Sequence, residues 1–256
     1  RLARARRRAW RERRPVTGLL ALHGGGEYAG GDETAMDALL AAAGEAAGLE
    51  GVGVVRRIVL VPTAAARQRP QAAASHGERS FAAAAARAGV AVEIGVAGIL
   101  TRGDAADPRI VGPLEAAHLV HFPGGDPDLI PSVLRDTPAW AAIVRAFEGS
   151  AVIAGASAGA MAMAGRCWTP AGAVDGLGLL PGYAVLPHDA PGRLDRWRSA
   201  HAAGPPVSWL AIGEQTLVIG RPGGIWRVAG RGRVRVLGPD SAELASAGDG
   251  EPISIP

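Results

Sequence analysis

The chain of 256 residues has no lysine and no asparagine, and cysteine occurs once, at position 167. A single cysteine excludes an internal disulfide and is typical of a reducing compartment, so we expect a cytoplasmic protein. No apolar run approaches the roughly 18 residues that a membrane-spanning helix needs. The basic N-terminus is followed by neither an apolar segment nor a cleavage site, which predicts no signal peptide. We therefore expect no membrane partner.

The net charge of +3 comes from one end of the chain. Residues 1–14 contain eight Arg and one Glu, a positive surplus larger than that of the whole chain, so the remainder is mildly acidic. Such a run could grip nucleic acid or an anionic membrane, but it is more often a solvated end. We therefore expect a disordered basic tail over residues 1–15 and no nucleic-acid partner.

The pattern of apolar residues predicts one large α/β domain. Apolar residues make up 48% of the chain, which is enough for a single core at this length. Strand-like and helix-like patterns alternate through the first 163 residues, which predicts a mainly parallel sheet with helices on both faces. Four short β-like runs between residues 209 and 237 predict an antiparallel extension at one edge. We expect a domain over residues 16–238 and a loose tail over 239–256.

The most informative segment is AVIAGASAGAMAM at 151–163. An apolar strand pattern meets G-x-S-x-G and then an Ala/Met-rich helical pattern, which is the strand–turn–helix context of a nucleophile turn. Small neighbours relieve the crowding of such a turn. The N–H of Ala158, at the helix start, would face an oxyanion beside Ser157. The alternative is a closely packed turn in a chain that contains 37 Gly.

A serine nucleophile needs a base that accepts its proton. His188 follows the apolar stretch 183–187, so it lies just beyond a strand end, at the rim of the sheet, where a general base would be placed. The other histidines lie in or before apolar strands or in polar segments, at positions 23, 76, 118, 121 and 201. Cys167 competes as a nucleophile, but it lacks the strand–turn–helix context, and we interpret it as a packing residue.

Three glycine-rich turns follow predicted strand ends: 24–26, 124–125 and the turn at Ser157. Parallel strands present their carboxyl ends at one edge of a sheet, so these turns could converge on one site. The loop HGGGEYAGGD lacks the G-x-G-x-x-G spacing of a dinucleotide site. No spacing of His, Cys and Asp indicates a metal site. We therefore expect no cofactor and no metal.

Four blocks occur in order along the chain: LLALHGGGE at 19–27, HFPGGDPDLIPSVLRDTP at 121–138, AGASAGAMA at 154–162 and GLGLLPGYAVLPH at 176–188, with weaker support from AIGEQTLVIG at 211–220. Over roughly residues 17–237 they resemble the cyanophycinase and aspartyl-dipeptidase (dipeptidase E-like) family of serine peptidases. The resemblance implies a class I glutamine amidotransferase-like, flavodoxin-like fold, a three-layer α/β sandwich with a mainly parallel central sheet. It also implies hydrolysis of short, acidic peptides through an acyl-enzyme.

The resemblance assigns roles to matching positions. Ser157 matches the nucleophile, and His188 matches the catalytic histidine that serves as its base. The backbone N–H groups of Gly124, Gly125 and Ala158 would form the oxyanion hole. For Ser157, His188 and Ala158 these expectations coincide with the roles that the turn and the strand end suggest without the resemblance, whereas for Gly124 and Gly125 they rest on the resemblance.

The acid of the triad is the point at which the sequence departs from the family. The segment between nucleophile and histidine is short, and its acidic residue, Asp175, lies later than the usual position. Asp175 is the first candidate to orient His188, although a loop aspartate that caps the following turn is an alternative. Glu214 is the second candidate. A dyad in which a backbone carbonyl orients the histidine is the third.

Three charged residues are expected to bind substrate: Glu27, Asp126 and Arg193. Glu27 and the glycines 24–26 would line the cleft, or they would only form a tight turn. Arg193 could hold a substrate carboxylate through two hydrogen bonds, or it could be a surface arginine. Leu-Pro stands before His188 where cyanophycinases have Asp-Gln, so we do not expect cyanophycin itself as the substrate.

Two other functions fit parts of the sequence. The order Ser157, Asp175, His188 matches an α/β-hydrolase esterase, although in that fold the acid and the histidine come from separate late strands. The short segment before Asp175 would also suit a non-catalytic ligand-binding or regulatory module on an amidotransferase-like fold. As a partner we expect a small peptide substrate. The sequence leaves open whether the chain forms a homodimer.

Overall fold

The computed structural model describes residues 17–49, 55–201 and 206–255. The helices are α1 Glu33–Ala46, α2 Pro70–Ala88, α3 Pro108–Glu115, α4 Leu129–Leu134, α5 Pro138–Glu148, α6 Ala158–Met163 and α7 Arg193–His201. The strands are β1 Leu19–His23, β2 Val55–Leu60, β3 Ala91–Val96, β4 Leu119–Phe122, β5 Val152–Ala156, β6 Ala164–Thr169, β7 Gly172–Asp175, β8 Leu180–Pro187, β9 Ser208–Ile212, β10 Thr216–Gly220, β11 Ile225–Gly230, β12 Val234–Leu237, β13 Glu243–Ala247 and β14 Pro252–Ser254.

In the part of the chain that the structure describes, eight strands form the larger sheet, in the order β14-β11-β10-β1-β5-β4-β2-β3. The five strands from β1 to β3 in this order run parallel. The remaining three, β10, β11 and β14, add antiparallel pairs at the edge next to β1. The expectation of a mainly parallel α/β sheet with C-terminal antiparallel strands is therefore confirmed.

Side chains that alternate along β1 bury both faces of this sheet. Leu20 and Leu22 pack into the core shared with α3, α4, α5 and α6. Ala21, between them, packs on the opposite face into the core under α1 and α2. Full burial of a leucine contributes about 1.5–3 kcal/mol, so a one-residue slip of this strand would be costly. The alternation holds β1, and the turn that follows it, in one register.

Local signals determine where the helices begin and end. Helix α2 begins at Pro70. An N–H at the first helical position would have no partner within the helix, so proline, which lacks this group, is tolerated there. The helix ends before Gly89, which adopts the left-handed conformation (φ +64°). The hydroxyl of Thr137 accepts a hydrogen bond from the Trp140 N–H at the start of α5. Helix α2 therefore runs from a proline boundary to a glycine boundary.

A second sheet was not predicted. Its six described strands follow the order β13-β12-β9-β8-β6-β7, with β6, β8 and β9 parallel. The sequence predicts that β9 and β12 extend the main sheet, but both belong to this second sheet. An aromatic cluster covers its outer face, where Trp197 stacks on Trp168 and meets Trp209 edge-on. Trp197 and Trp209 are buried in this cluster, so the second sheet has an apolar core of its own on this face.

The C-terminal segment also differs from expectation. Strand β13 pairs with β12, and β14 pairs with β11. Ala247, Ile253 and Ile255 are buried in the main core. Residues 243–254 therefore belong to the folded sheets and do not form the loose tail that we expected over 239–256. The expected basic tail over 1–15 lies outside the described residues.

None of the helices in the described ranges is long and apolar enough to cross a membrane.

Candidate active site

The three glycine-rich turns meet at the carboxyl ends of β1, β5 and β4, which are neighbours in the sheet. Ser157 lies at the tip of the turn between β5 and α6, with φ +49° and ψ −111°. A Cβ on Gly155 would lie 2.4 Å from the carbonyl carbon of Gly159, and a Cβ on Gly159 would lie 2.2 Å from the oxygen of Phe122. Both glycines of G-x-S-x-G are thus required by close backbone packing, which holds the serine on a sharp turn.

His188 follows directly on β8 and bridges Ser157 to a carboxylate. Its Nε2 lies 2.9 Å from the Ser157 Oγ, and its Nδ1 lies 2.9 Å from Oε1 of Glu214. A carboxylate accepts hydrogen bonds only, so the Nδ1 carries the hydrogen and the Nε2 is left to accept the hydroxyl proton. This arrangement is that of a serine, a base and an orienting acid.

The parallel pairing of β8 and β9 brings Glu214 to His188. The two strands run in register, with Pro187 opposite Ile212. His188 is the first residue after one strand end, and Glu214 is the second residue after the other. The backbone N–H of Asp189 also donates to the carbonyl of Ile212. The two side chains therefore meet although they are 26 residues apart in the sequence.

Asp175, the first candidate for the acid, is not near His188. It ends β7 at the edge of the second sheet, is 74% exposed and forms an ion pair with Arg166 at 2.9 Å. Through β6 it is level with Ala184, so it stops roughly 13 Å short of His188 along the strands and lies two strands away. The structure corrects the expected placement, because the carboxylate at the histidine is that of Glu214.

The turn at Gly124 lies beside Ser157. A Cβ on Gly124 would be 3.3 Å from the Ser157 Cβ, so this turn packs directly against the serine. The N–H donates to the Glu27 Oε1 at 2.8 Å. Gly125 follows with φ +149°, and a Cβ there would lie 2.2 Å from the Ala64 oxygen.

Ala158 is the other residue expected to donate to an oxyanion. It follows Ser157 directly and is the first residue of α6, and the first N–H groups of a helix have no partner within it. That its N–H and those of Gly124 and Gly125 form an oxyanion hole stays a prediction.

The other two residues expected to bind substrate have different surroundings. Asp126 accepts a hydrogen bond from Gln68 at 3.1 Å, and its carboxylate lies 3.9 Å from Arg67, so it anchors the turn after β4. Arg193 begins α7, and its Nε is buried without a hydrogen-bond partner among the described residues. Within the described residues, neither side chain hydrogen-bonds to the serine, the histidine or Glu214.

Burial shifts the pKa values of two further reactive side chains, Cys167 and His121. Burial raises the pKa of the Cys167 thiol to about 12, with a smaller contribution from Asp128, so the thiolate is scarce. Burial lowers the pKa of His121 to about 3, helped by His23, so this imidazole stays neutral. A search of the described ranges finds no group of three or more His, Cys, Asp or Glu side chains suited to a metal ion.

The family of this chain follows from a match over most of its length. A family model described as Peptidase family S51 matches residues 20–225. The chain belongs to peptidase family S51. Ser157, His188 and Glu214 all lie within the matched range.

Individual S51 relatives agree with this assignment. The chain is similar to the cyanophycinase of Synechococcus elongatus, with 31% identity over 171 residues that cover 60% of this chain and 53% of the relative. The cyanophycinase of Nostoc sp. is 30% identical over 181 residues, which cover 64% of this chain and 61% of the relative. The chain thus spans a little over half of the length of the curated relatives that it matches.

A solved structure covers more of the chain. A peptidase from an acI-B1 Actinobacterium superposes with a TM-score of 0.73 at 26% identity, covering 94% of this chain and 98% of that one. The fold described above is therefore shared nearly end to end with a peptidase.

Glu214 was the residue that sequence reasoning ranked too low. It lies in the block AIGEQTLVIG, two residues after the apolar run 209–212. A strand-end position beside the strand of His188 is the signal that could have given it a higher rank. That signal requires knowledge that β8 and β9 pair in parallel, which the chain order alone does not supply.

Proposed function

We propose that the protein is a serine peptidase that hydrolyses short peptides through an acyl-enzyme on Ser157. The observation that carries the proposal is the continuous chain of hydrogen bonds from Ser157 through His188 to Glu214, each 2.9 Å long. A non-catalytic module would have no need for an acid at this position. Membership of the S51 family supports the same reaction class.

In the proposed acylation step, each of these residues has one role. The Ser157 Oγ attacks the carbonyl carbon of the scissile peptide while its proton passes to the His188 Nε2. The tetrahedral intermediate places its negative oxygen between the N–H groups of Gly124 and Ala158. The imidazolium then returns the proton to the departing amine as the C–N bond breaks, which leaves an ester on Ser157.

Deacylation repeats these steps with water. His188 removes a proton from the water molecule as its oxygen attacks the ester carbonyl, and the same N–H groups hold the second oxyanion. The C–O bond to Ser157 breaks, the serine regains its proton from the imidazolium, and the carboxylic acid product leaves. Glu214 keeps the imidazole in the productive tautomer and stabilises its charged form throughout.

Glu27 is proposed to bind the substrate and to leave the oxyanion hole when it does. Its carboxylate holds the Gly124 N–H, and that N–H cannot serve an oxyanion at the same time. A carboxylate at this point attracts a positively charged group, such as the free amino group of a short peptide. Binding of that group would draw Glu27 away and free the N–H beside Ser157.

Arg193 is proposed to bind a carboxylate of the substrate. Its Nε is buried and has no hydrogen-bond partner in the part of the chain that the structure describes, and a buried donor without a partner is costly. A guanidinium offers a carboxylate two parallel hydrogen bonds. A cation-binding Glu27 and an anion-binding Arg193 together favour short acidic peptides.

A panel of short peptides tests the function. The panel contains dipeptides with N-terminal and β-linked aspartyl residues and neutral dipeptides of equal length, each incubated with the wild type and with Ser157→Ala. We expect hydrolysis of at least one aspartyl peptide by the wild type and a loss of at least about 10³-fold in the variant. Equal rates in the two proteins would contradict the proposal.

A further inference from the structure

Three residues with an uncommon backbone conformation surround the active site. Ser157, His188 and Gln215 have φ values of +49°, +54° and +53°. Positive φ is unfavourable for residues with a side chain, so such residues persist only where their surroundings hold them. Two of the three belong to the proposed triad, and the third follows Glu214 directly.

The N–H groups of these three residues bind three consecutive carbonyls. Ser157 donates to His23 at 3.0 Å, His188 donates to Gly24 at 2.7 Å, and Gln215 donates to Gly25 at 2.7 Å. The segment 23–25, which we call the anchor run, therefore touches each of the three elements that carry the triad. A shift of the anchor run would move the nucleophile, the base and the acid relative to one another.

A buried histidine and aspartate fix the anchor run in turn. The Nδ1 of His23 accepts the Gly25 N–H at 3.1 Å, and its Nε2 lies 2.7 Å from the Asp32 Oδ1. The second Asp32 oxygen accepts the Tyr28 N–H at 3.0 Å. His23 is 4% exposed and Asp32 is 2% exposed. Both are thus sequestered from solvent, on the face of the sheet under α1 and α2.

The hydrogen bonds determine the tautomer of His23. Because the Gly25 N–H can only donate, the Nδ1 of His23 is unprotonated, and the Nε2 carries the hydrogen that Asp32 accepts. The side chain thus bridges a fixed carboxylate to the backbone of the turn. It closes the anchor run into a small ring from residue 23 to residue 25.

We infer that His23 and Asp32 are positioning residues, which act through the anchor run to hold Ser157, His188 and Glu214 in register. Neither side chain touches the reacting atoms. Misplacement of a reacting group by about 1 Å lowers a rate by about 100-fold, so a small relaxation of this run is expected to be visible in catalysis. The inference rests on the proposed function for its kinetic consequence, but its structural consequence can be measured separately.

The kinetic test uses labelling of Ser157 by a fluorophosphonate, compared per folded molecule. In Asp32→Ala and His23→Leu we expect the labelling rate to fall about 10- to 100-fold. His23→Asn should recover part of the loss, because its amide oxygen can accept the Gly25 N–H. The matched control is Tyr28→Phe, which removes the partly buried hydrogen bond between the Tyr28 hydroxyl and the His121 Nδ1 on the same face and should label within about threefold of the wild type.

Amide hydrogen exchange decides the inference even if the protein proves not to be labelled. In Asp32→Ala we expect the amides of Ser157, His188 and Gln215 to lose protection together, by about tenfold or more, while the central-strand amide of Ile153 changes no more than in Tyr28→Phe. Uniform loss across the sheet, or no loss at the three amides beyond that in Tyr28→Phe, would overturn the inference. Failure of the wild type to label would instead count against the proposed function.

Discussion

His188 and Glu214 lie side by side at the ends of two parallel strands, with 2.9 Å between Nδ1 and Oε1. The histidine ring is then in place to accept the Ser157 hydroxyl proton. The pair is partly open to solvent, since 66% of the Glu214 side chain is exposed. The contact therefore orients the imidazole more than it stabilises the fold, because a solvent-exposed pair of this kind contributes little to the free energy of unfolding.

The identity of the acid gives the first prediction. Glu214→Gln is expected to lower kcat for peptide hydrolysis by about 10²- to 10⁴-fold, because the amide can favour the unproductive tautomer of His188. Asp175→Asn, the matched control, removes a similar exposed carboxylate and should change kcat by less than about twofold. A large loss in the Asp175 variant with an active Glu214 variant would refute the assignment.

The contact between Glu27 and Gly124 gives the second prediction. In Glu27→Ala the Gly124 N–H is released, so labelling by a small fluorophosphonate is expected to rise, by up to about tenfold for the loss of one charge-assisted hydrogen bond. The same variant should lose kcat/KM for peptides with a free amino group, with a smaller loss for their N-acetylated counterparts. Parallel changes in labelling and in hydrolysis would argue against this role.

The close packing of the His188 ring against Gly25 gives the third prediction. Gly25 has φ +113°, and a Cβ there would lie 2.1 Å from the His188 Cε1. Gly25→Ala should displace the ring and lower kcat by at least about tenfold. Gly89→Ala serves as the control, since Gly89 also has positive φ but nothing lies within 4 Å of its added Cβ. If both variants lose stability alike and Gly25→Ala stays fully active, the ring does not depend on this contact.

Burial of His121 gives the fourth prediction, on stability against pH. Its pKa in the fold is about 3, whereas in the unfolded chain it is about 6.5. Between these values the unfolded state binds the additional proton, so the free energy of unfolding falls as the pH falls through this window. The contribution has a slope of up to about 1.4 kcal/mol per pH unit. Urea unfolding at several pH values should show a shallower slope for His121→Gln, and an unchanged slope would contradict the burial effect.

Local patterns in the sequence were sufficient to predict the turn at Ser157 and the position of His188 at a strand end. The turn around Ser157 is set by two glycines of its own motif, of which Gly155 packs on Gly159 and Gly159 packs on Phe122 of the neighbouring strand. His188 follows a strand that the apolar run marks. The convergence of the three turns also follows from the rule that parallel strands share an edge. These features depend on neighbours in the chain or on one general property of sheets.

The acid and the second sheet depend on contacts distant in the sequence. Glu214 reaches His188 only because β9 pairs with β8 and not with the neighbouring β10. Short apolar runs such as 209–212 and 216–219 look alike, yet they join different sheets. The choice is made by what covers each face, including Trp209 in the aromatic cluster, and periodicity along one strand does not contain that information.

Mass spectrometry of the protein after treatment with a fluorophosphonate tests the central claim most directly. We expect one adduct per molecule, located by peptide mapping on the segment that contains Ser157, and no adduct on Ser157→Ala. Labelling should also fall steeply in His188→Gln, because the serine then lacks its base. An adduct on another residue, or equal labelling of the wild type and Ser157→Ala, would show that Ser157 is not the nucleophile.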